Sequence, residues 1–444
     1  MSLRRSLTVC CLGAASLLAQ DARPAEPAFE YGFQHRSRSE SWDDIVDHRR
    51  TTPDFRVQYR FRTNAWVIVP LGEDLTFTAG LVNENRKLVR PDVAYNGREI
   101  IFDSCYLDWR MDPSWSLRAG RQTLMRGDGF VLCDGGALDG SRTAYVNAVD
   151  LTWTGGDAKV EFLGISDPAR DRTLPGLNHT DNPKERTLLN ERDEAALAVY
   201  GTWRREGHDV QAYVFHKTER HDVSAWTDPI FVPDRWVETL GLRVAEKLGG
   251  GLSAMGEFTV QGGRQSGHPG TLEPASDIRA WGGQARVTQA FNAPLRPELS
   301  LGWVGLSGDN PSTRTHEGWD PVFSRWPKWS ELYIYSQIPE GGVAVWSNLR
   351  MWEATVQAKP HAKLGLRASV FWMQAFQPVI GHGPIFASGL GRGRLDEVRA
   401  DLKVSDQWQG RLTYERLDPG TFYAGPATGR FLQVDIIYTF RRHR

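Results

Sequence analysis

Residues Phe55 to Arg62 read Phe-Arg-Val-Gln-Tyr-Arg-Phe-Arg, a large apolar side chain at every odd position and Arg or Gln at every even one. Successive side chains of an extended strand point to opposite faces, so this segment has one greasy face and one cationic face. The same two-residue period returns along almost the whole chain with no helical segment between. A closed transmembrane barrel of antiparallel strands, with lipid outside and water inside, satisfies that pattern throughout.

The N-terminus points the same way. Arg4 and Arg5 precede an apolar stretch from Leu7 to Ala19, followed by polar Gln20-Asp21 and a Pro-rich segment. This is the layout of a signal peptide at 1–20 and an extended leader at 21–28. About 13 apolar residues are too few to span a bilayer as a helix. The expected organisation is therefore a barrel over 29–440 and a short tail at 441–444. A mean hydropathy of -0.44 excludes a helical membrane protein. A net charge of -1 provides no global field for nucleic acid. Cys10 and Cys11 fall in the leader, Cys105 alternates onto the lipid side and Cys133 falls in a loop, so no disulfide is expected. No metal-spaced Cys/His set, cofactor motif or nucleophile motif occurs, and no enzymatic activity is expected.

Alternating segments run from 29–35, 55–69 and 74–86 to 408–417 and 431–440, about 18 in all. Their connections alternate in length. Met111-Asp112-Pro113-Ser114, Thr154-Gly155-Gly156-Asp157 and Arg205-Glu206-Gly207-His208 are short and carry turn-forming residues. Long ones include 36–54, 123–146, 166–193 and 307–347. Short periplasmic turns and long outer loops are the pattern of a bacterial outer-membrane barrel with both termini in the periplasm. A soluble carbohydrate-binding β-protein, whose Trp residues would stack on sugars, has no reason to keep short turns at one end. The last strand, ending at Phe440, resembles the signal read by the barrel assembly machinery.

The stretch Leu117-Arg118-Ala119-Gly120-Arg121-Gln122-Thr123-Leu124-Met125-Arg126-Gly127-Asp128-Gly129 resembles the Gly-Arg-Gln, Leu, Gly-Asp motif of the alginate-export family of outer-membrane porins. Leu138-Asp139-Gly140-Ser141-Arg142 resembles that family's Asp-Gly-x-Arg element, and looser similarity follows at 307–311, 348–350 and 418–423. The resemblance implies an 18-stranded barrel passing an anionic polysaccharide outward through an arginine-lined pore, with a periplasmic export scaffold as a further partner. It implies Arg121 and Arg142 as pore-lining residues, with Asp128 and Asp139 as ion-pair or loop-positioning partners.

Parity gives a separate argument. An Arg facing lipid near the midplane costs about 2–4 kcal/mol, so Arg56, Arg60, Arg62 and Arg118 are expected to face the lumen, as are Arg243, Arg367 and Arg411. Asp108, Glu257, Glu353, Asp401, Glu415 and Asp435 read inward as well. The ladder therefore either attracts a carboxylate-bearing solute or braces the wall through ion pairs. A substrate-specific uptake porin for organic anions or oligosaccharides is the alternative function, since a passive pore has no direction of its own. The aromatic-rich connection 307–347 is expected to fold over or into the outer mouth.

Overall fold

On strand after strand the two faces differ in the way the alternation requires. Leu197 and Val199 are exposed while Ala196, Ala198 and Tyr200, which alternate with them, are buried. The computed structural model describes residues 29–52, 54–93, 100–134, 146–169, 171, 173–175, 177, 193–220, 233–267, 274–379 and 383–443. The expected signal peptide and leader lie outside them.

In chain order the strands are β1 (Glu30–Asp43), β2 (Arg56–Pro70), β3 (Leu75–Arg90), β4 (Ile100–Arg110), β5 (Trp115–Gln122), β6 (Leu124–Met125) and β7 (Cys133–Asp134). There follow β8 (Val146–Gly155), β9 (Ala158–Asp167), β10 (Asp193–Arg205), β11 (His208–Arg220), β12 (Arg235–Gly249), β13 (Leu252–Gln265) and β14 (Ser276–Ala290). The last are β15 (Glu298–Leu306), β16 (Leu349–His361), β17 (Leu364–Gln374), β18 (Gly391–Lys403), β19 (Trp408–Pro419) and β20 (Gly429–His443). All but β6 and β7 form one 18-stranded antiparallel sheet, and β1 pairs with both β2 and β20 to close it. Closure leaves no sheet edge, which a membrane-spanning sheet requires. Among the described residues the only α-helix is the single turn α1 (Tyr333–Ser336).

Connections at one end are short, such as 71–74, 111–114, 156–157 and 206–207, and those at the other are long. Trp109, Trp203, Trp352, Trp372 and Trp408 are exposed on the outer face, where indole rings suit the membrane interface. Cys105 and Cys133 are free thiols.

Two ends differ from expectation. β1 continues to Asp43, well past residue 35, because its outward residues Ser37, Ser39 and Ser41 are small and polar, which hides the two-residue period from a hydrophobicity reading. β20 continues to His443, and Arg441 within it donates Nε to Glu30 at 2.7 Å.

Candidate functional site: the lumen and its inward connections

Cross-strand partners share a face of the sheet, so register alone aligns the lumen side chains in rows. Asp435, Arg38, Arg60 and Arg86 form one such row across β20, β1, β2 and β3, and Arg36, Arg62 and Glu84 form the next. Like charges placed directly opposite repel. Acids offset part of that repulsion: Arg38 donates Nε to Asp435 at 2.6 Å, and Glu40 accepts from Arg38 at 3.2 Å and from Arg60 at 2.9 Å. Arg62 reaches Gln34 at 3.4 Å. Arg86 is exposed and forms no salt bridge among the described residues. Arg56 is also exposed, its guanidinium 5.8 Å from the Trp42 ring.

Arg118 makes a two-point pair with Asp108, both contacts 2.8 Å, and lies 4.7 Å from the Tyr106 ring. Arg121 is placed differently from its neighbours in the motif. It is 1% exposed and bonds to Asp171 at 2.6 and 2.7 Å, to Asn147 at 3.2 Å and to the Phe102 carbonyl at 3.0 Å. Those partners belong to β4, β8 and the connection after β9, so Arg121 braces the wall instead of presenting its charge to solvent. Asp128, expected beside Arg121 or Arg142, instead pairs with Arg243 of β12 at 3.2 Å. Asp139 and Arg142 lie outside the described residues.

Two long connections enter the barrel. In the shorter, which contains β6 and β7, Arg126 pairs with Asp150 at 2.9 Å and Glu161 at 2.5 Å. The longer, 307–348, is tied to opposite arcs of the ring. On one arc Lys217 of β11 donates to the Val322 carbonyl at 2.6 Å, Gln261 of β13 to the Asp320 carbonyl at 2.8 Å, and Arg235 and Glu194 pair with Asp320 and Arg325. On the other arc Glu415 of β19 accepts the Glu331 and Leu332 amides at 2.8 and 3.1 Å. Tyr335 also stacks on Trp42 of β1 at 4.7 Å. The two connections are stitched together by Cys133 N to Phe323 O at 2.9 Å and Phe323 N to Val131 O at 3.0 Å.

Arg392 fixes the end of the longer connection. It is wholly buried, donates to Glu340 at 2.6 Å, to the Tyr333 hydroxyl at 2.8 Å and to the Asn348 carbonyl at 3.1 Å, and lies 4.2 Å from the Phe422 ring. Gly282 on β14 makes room for the same segment: a Cβ there would stand 2.8 Å from the Trp319 ring. The expected entry of 307–347 into the barrel mouth is thus what the contacts describe.

Beneath the inward segments, toward the short turns, lies a cavity of about 620 Å³. Trp326, Lys328 and Trp329 roof it, and Arg286, Arg367 and Arg411 lie in its walls. Each wall arginine has an acid: Glu353 at 3.2 Å for Arg286, Glu397 for Arg367, and Asp401 at 3.0 Å for Arg411. Lys328 Nζ is buried with no hydrogen bond among the described residues, 5.3 Å from the Phe130 ring and 5.4 Å from the Trp329 ring. Burial pushes this ammonium down to about 8 against the pull of Asp128 and Glu257. Burial would raise Asp128, but Arg243, then Lys328 and Arg286, hold its carboxyl below the usual range.

Sequence reasoning missed Arg36, Arg38 and Arg86 as members of the cationic wall. The first two fell in a segment read as loop, although Arg36-Ser37-Arg38-Ser39-Glu40-Ser41 keeps the period in charge instead of hydrophobicity. Lys328 carried no signal beyond its place among aromatics.

Comparison with known proteins agrees with this geometry. The barrel resembles outer-membrane porins of Pseudomonas aeruginosa. OccD3 (OpdP) superposes with a TM-score of 0.56 at 11% identity, covering 93% of this chain and 91% of that one. OpdK, solved with vanillate, gives 0.55 at 9% identity over 93% and 99% of the two chains. OccK2 (OpdF), solved in complex with glucuronate, gives 0.54 at 10% over 94% and 96%. At such identities the likeness shows the fold alone. No curated protein shows significant sequence similarity to the chain. The family model for alginate export matches residues 178–433, more than half of the sequence. A closed 18-stranded barrel and that match together establish that the chain is an outer-membrane channel protein belonging to the alginate-export family.

Proposed function

We propose that the channel passes an anionic polysaccharide or oligosaccharide along the arginine-bearing wall of β1, β2 and β3. The observation that carries this reading is the row Arg38, Arg60 and Arg86, three guanidinium groups on adjacent strands with Asp435 at one end. A planar guanidinium holds a carboxylate at two points and stays charged at any relevant pH, so side-by-side groups offer successive weak sites to a polyanion. Passage needs attraction without trapping, and the partial pairing with Glu40 and Asp435 moderates the attraction. Connection 307–348 is anchored on β10–β14, β18, β19 and β1, which supports the arginine wall as the side along which a solute moves.

Uptake of small organic acids is the second reading. It is favoured by the restriction of the lumen and by the carboxylates, vanillate and glucuronate, in two of the similar barrels. Both readings are separated in planar bilayers by adding an oligouronate, a neutral oligosaccharide of equal length, or a monouronate. The polysaccharide reading predicts current block by the oligouronate and little by the neutral chain. Block by the monouronate alone would favour uptake, and equal block by charged and neutral chains would contradict both.

A further inference from the structure

The outer, lipid-facing surface of β18, β19 and β20 changes character over a single ladder step. Val398, Tyr414 and Leu432 are exposed apolar neighbours on the three strands, with Leu412 and Val434 below them. One step nearer the long connections stand Asp396, Arg416 and Arg430, and one step further Arg394 and Asp418. Two-residue alternation places all five on the face of Val398, Tyr414 and Leu432. The opposite face carries the buried Leu395, Glu397, Glu415, Leu417 and Phe431. These charges therefore project outward at the border where the hydrocarbon-facing surface ends.

An arginine at that border is cheap, about 0–1 kcal/mol. Two directly opposed arginines are another matter: Arg416 and Arg430 are cross-strand partners, an arrangement that repels. The neighbouring acids resolve it only in part. Asp418 accepts from Arg416 at 3.0 Å and also from Thr428 at 2.8 Å, and Asp396 accepts from Arg394 at 2.9 Å. Arg430 is exposed and forms no salt bridge among the described residues, although Asp43 is its ladder neighbour on β1. Side chains of Arg394 and Arg416 are half exposed, so their remaining donors are accessible.

We propose that Arg416 and Arg430, flanked by Arg394, bind a phosphate of an outer-leaflet glycolipid of the lipid A type, whose acyl chains lie along Leu412, Tyr414, Leu432 and Val434. A phosphate between the two guanidinium groups turns their repulsion into paired charge-assisted hydrogen bonds. The apolar surface directly beneath makes the anion a lipid headgroup and not a free ion. The long-connection end of an outer-membrane barrel faces the cell exterior, and the phosphorylated lipid of that leaflet is the glycolipid.

The test uses the full-length protein in detergent, following the temperature at which its folded, fast-migrating gel band is lost. A ligand that binds only the folded state raises that temperature. Bisphosphorylated lipid A is expected to raise it in the parent by several degrees and to leave Arg416→Gln/Arg430→Gln unmoved. Phosphatidylglycerol is expected to have a much smaller effect on either. Equal rises in parent and variant, no rise in the parent, or equal rises with phosphatidylglycerol and lipid A would each overturn the proposal. Should the double variant fail to fold, Arg430→Gln alone, which removes no salt bridge seen among the described residues, is read by the same criteria.

Discussion

Arg60 and Arg86 stand directly opposite one another across the β2–β3 ladder, on the lumen face. Arg60 also faces Arg38 across β1–β2, so the repulsion is shared by three strands. Glu40 and Asp435 neutralise the β1 and β2 members, whereas Arg86 remains exposed to whatever enters. The acids brace this wall, and the exposed Arg86 supports the proposal that the wall also attracts anions.

Arg121 tests the bracing role. Its bonds to Asp171, Asn147 and the Phe102 carbonyl tie three wall and loop elements together. Breaking a buried pair of this kind costs about 3–5 kcal/mol. Arg121→Ala is therefore expected to lower the temperature of gel-band conversion markedly, while ion selectivity in planar bilayers stays near that of the parent. A large loss of anion preference with unchanged stability would return Arg121 to the pore lining.

The inward connection is expected to limit the conductance. Deleting residues 312–340 while keeping the strands should raise single-channel conductance severalfold, because it removes the segment held between Lys217 and Glu415. Gly282→Val, which forces the Trp319 ring to move, should give a smaller rise and noisier openings. Parental conductance in a deletion variant that assembles normally would show that the restriction lies elsewhere.

Lys328 is expected to make selectivity depend on pH. Its ammonium is charged below about 8 and loses its proton above, so anion preference should fall between pH 7 and 9.5. Lys328→Met should start lower and stay flat across that range. Stability runs in the opposite sense. Lys328 binds fewer protons folded than unfolded between about 8 and the ordinary value near 10.4, so stability rises with pH over that window. A parent whose reversal potential does not move between pH 7 and 9.5 would remove Lys328 from the selective region.

Strand number, connection lengths and the inward direction of Arg60, Arg62 and Arg118 were legible in the sequence because a barrel wall imposes a strict two-residue period between lipid and water. Where the outward residues are serine, as in β1, the period survives only in charge and the strand end was misplaced. The partners of Arg121 and Asp128 were not legible. Asp171 and Arg243 lie 50 and 115 residues away along the chain, and only closure of the barrel and entry of the connections bring them near. Entry of 307–348 was foreseeable from its aromatic content, but its anchors, Glu415 and Arg392, sit on strands whose patterns look ordinary.

The most direct measurement is the reversal potential of the purified channel across a tenfold potassium chloride gradient, for the parent and for Arg38→Gln/Arg60→Gln/Arg86→Gln. The parent is predicted to prefer chloride, and the variant to lose most of that preference, with a larger difference at low than at high salt because screening weakens the wall's field. A parent that prefers cations, or a folded triple variant with the parent's selectivity at every salt concentration, would contradict the account.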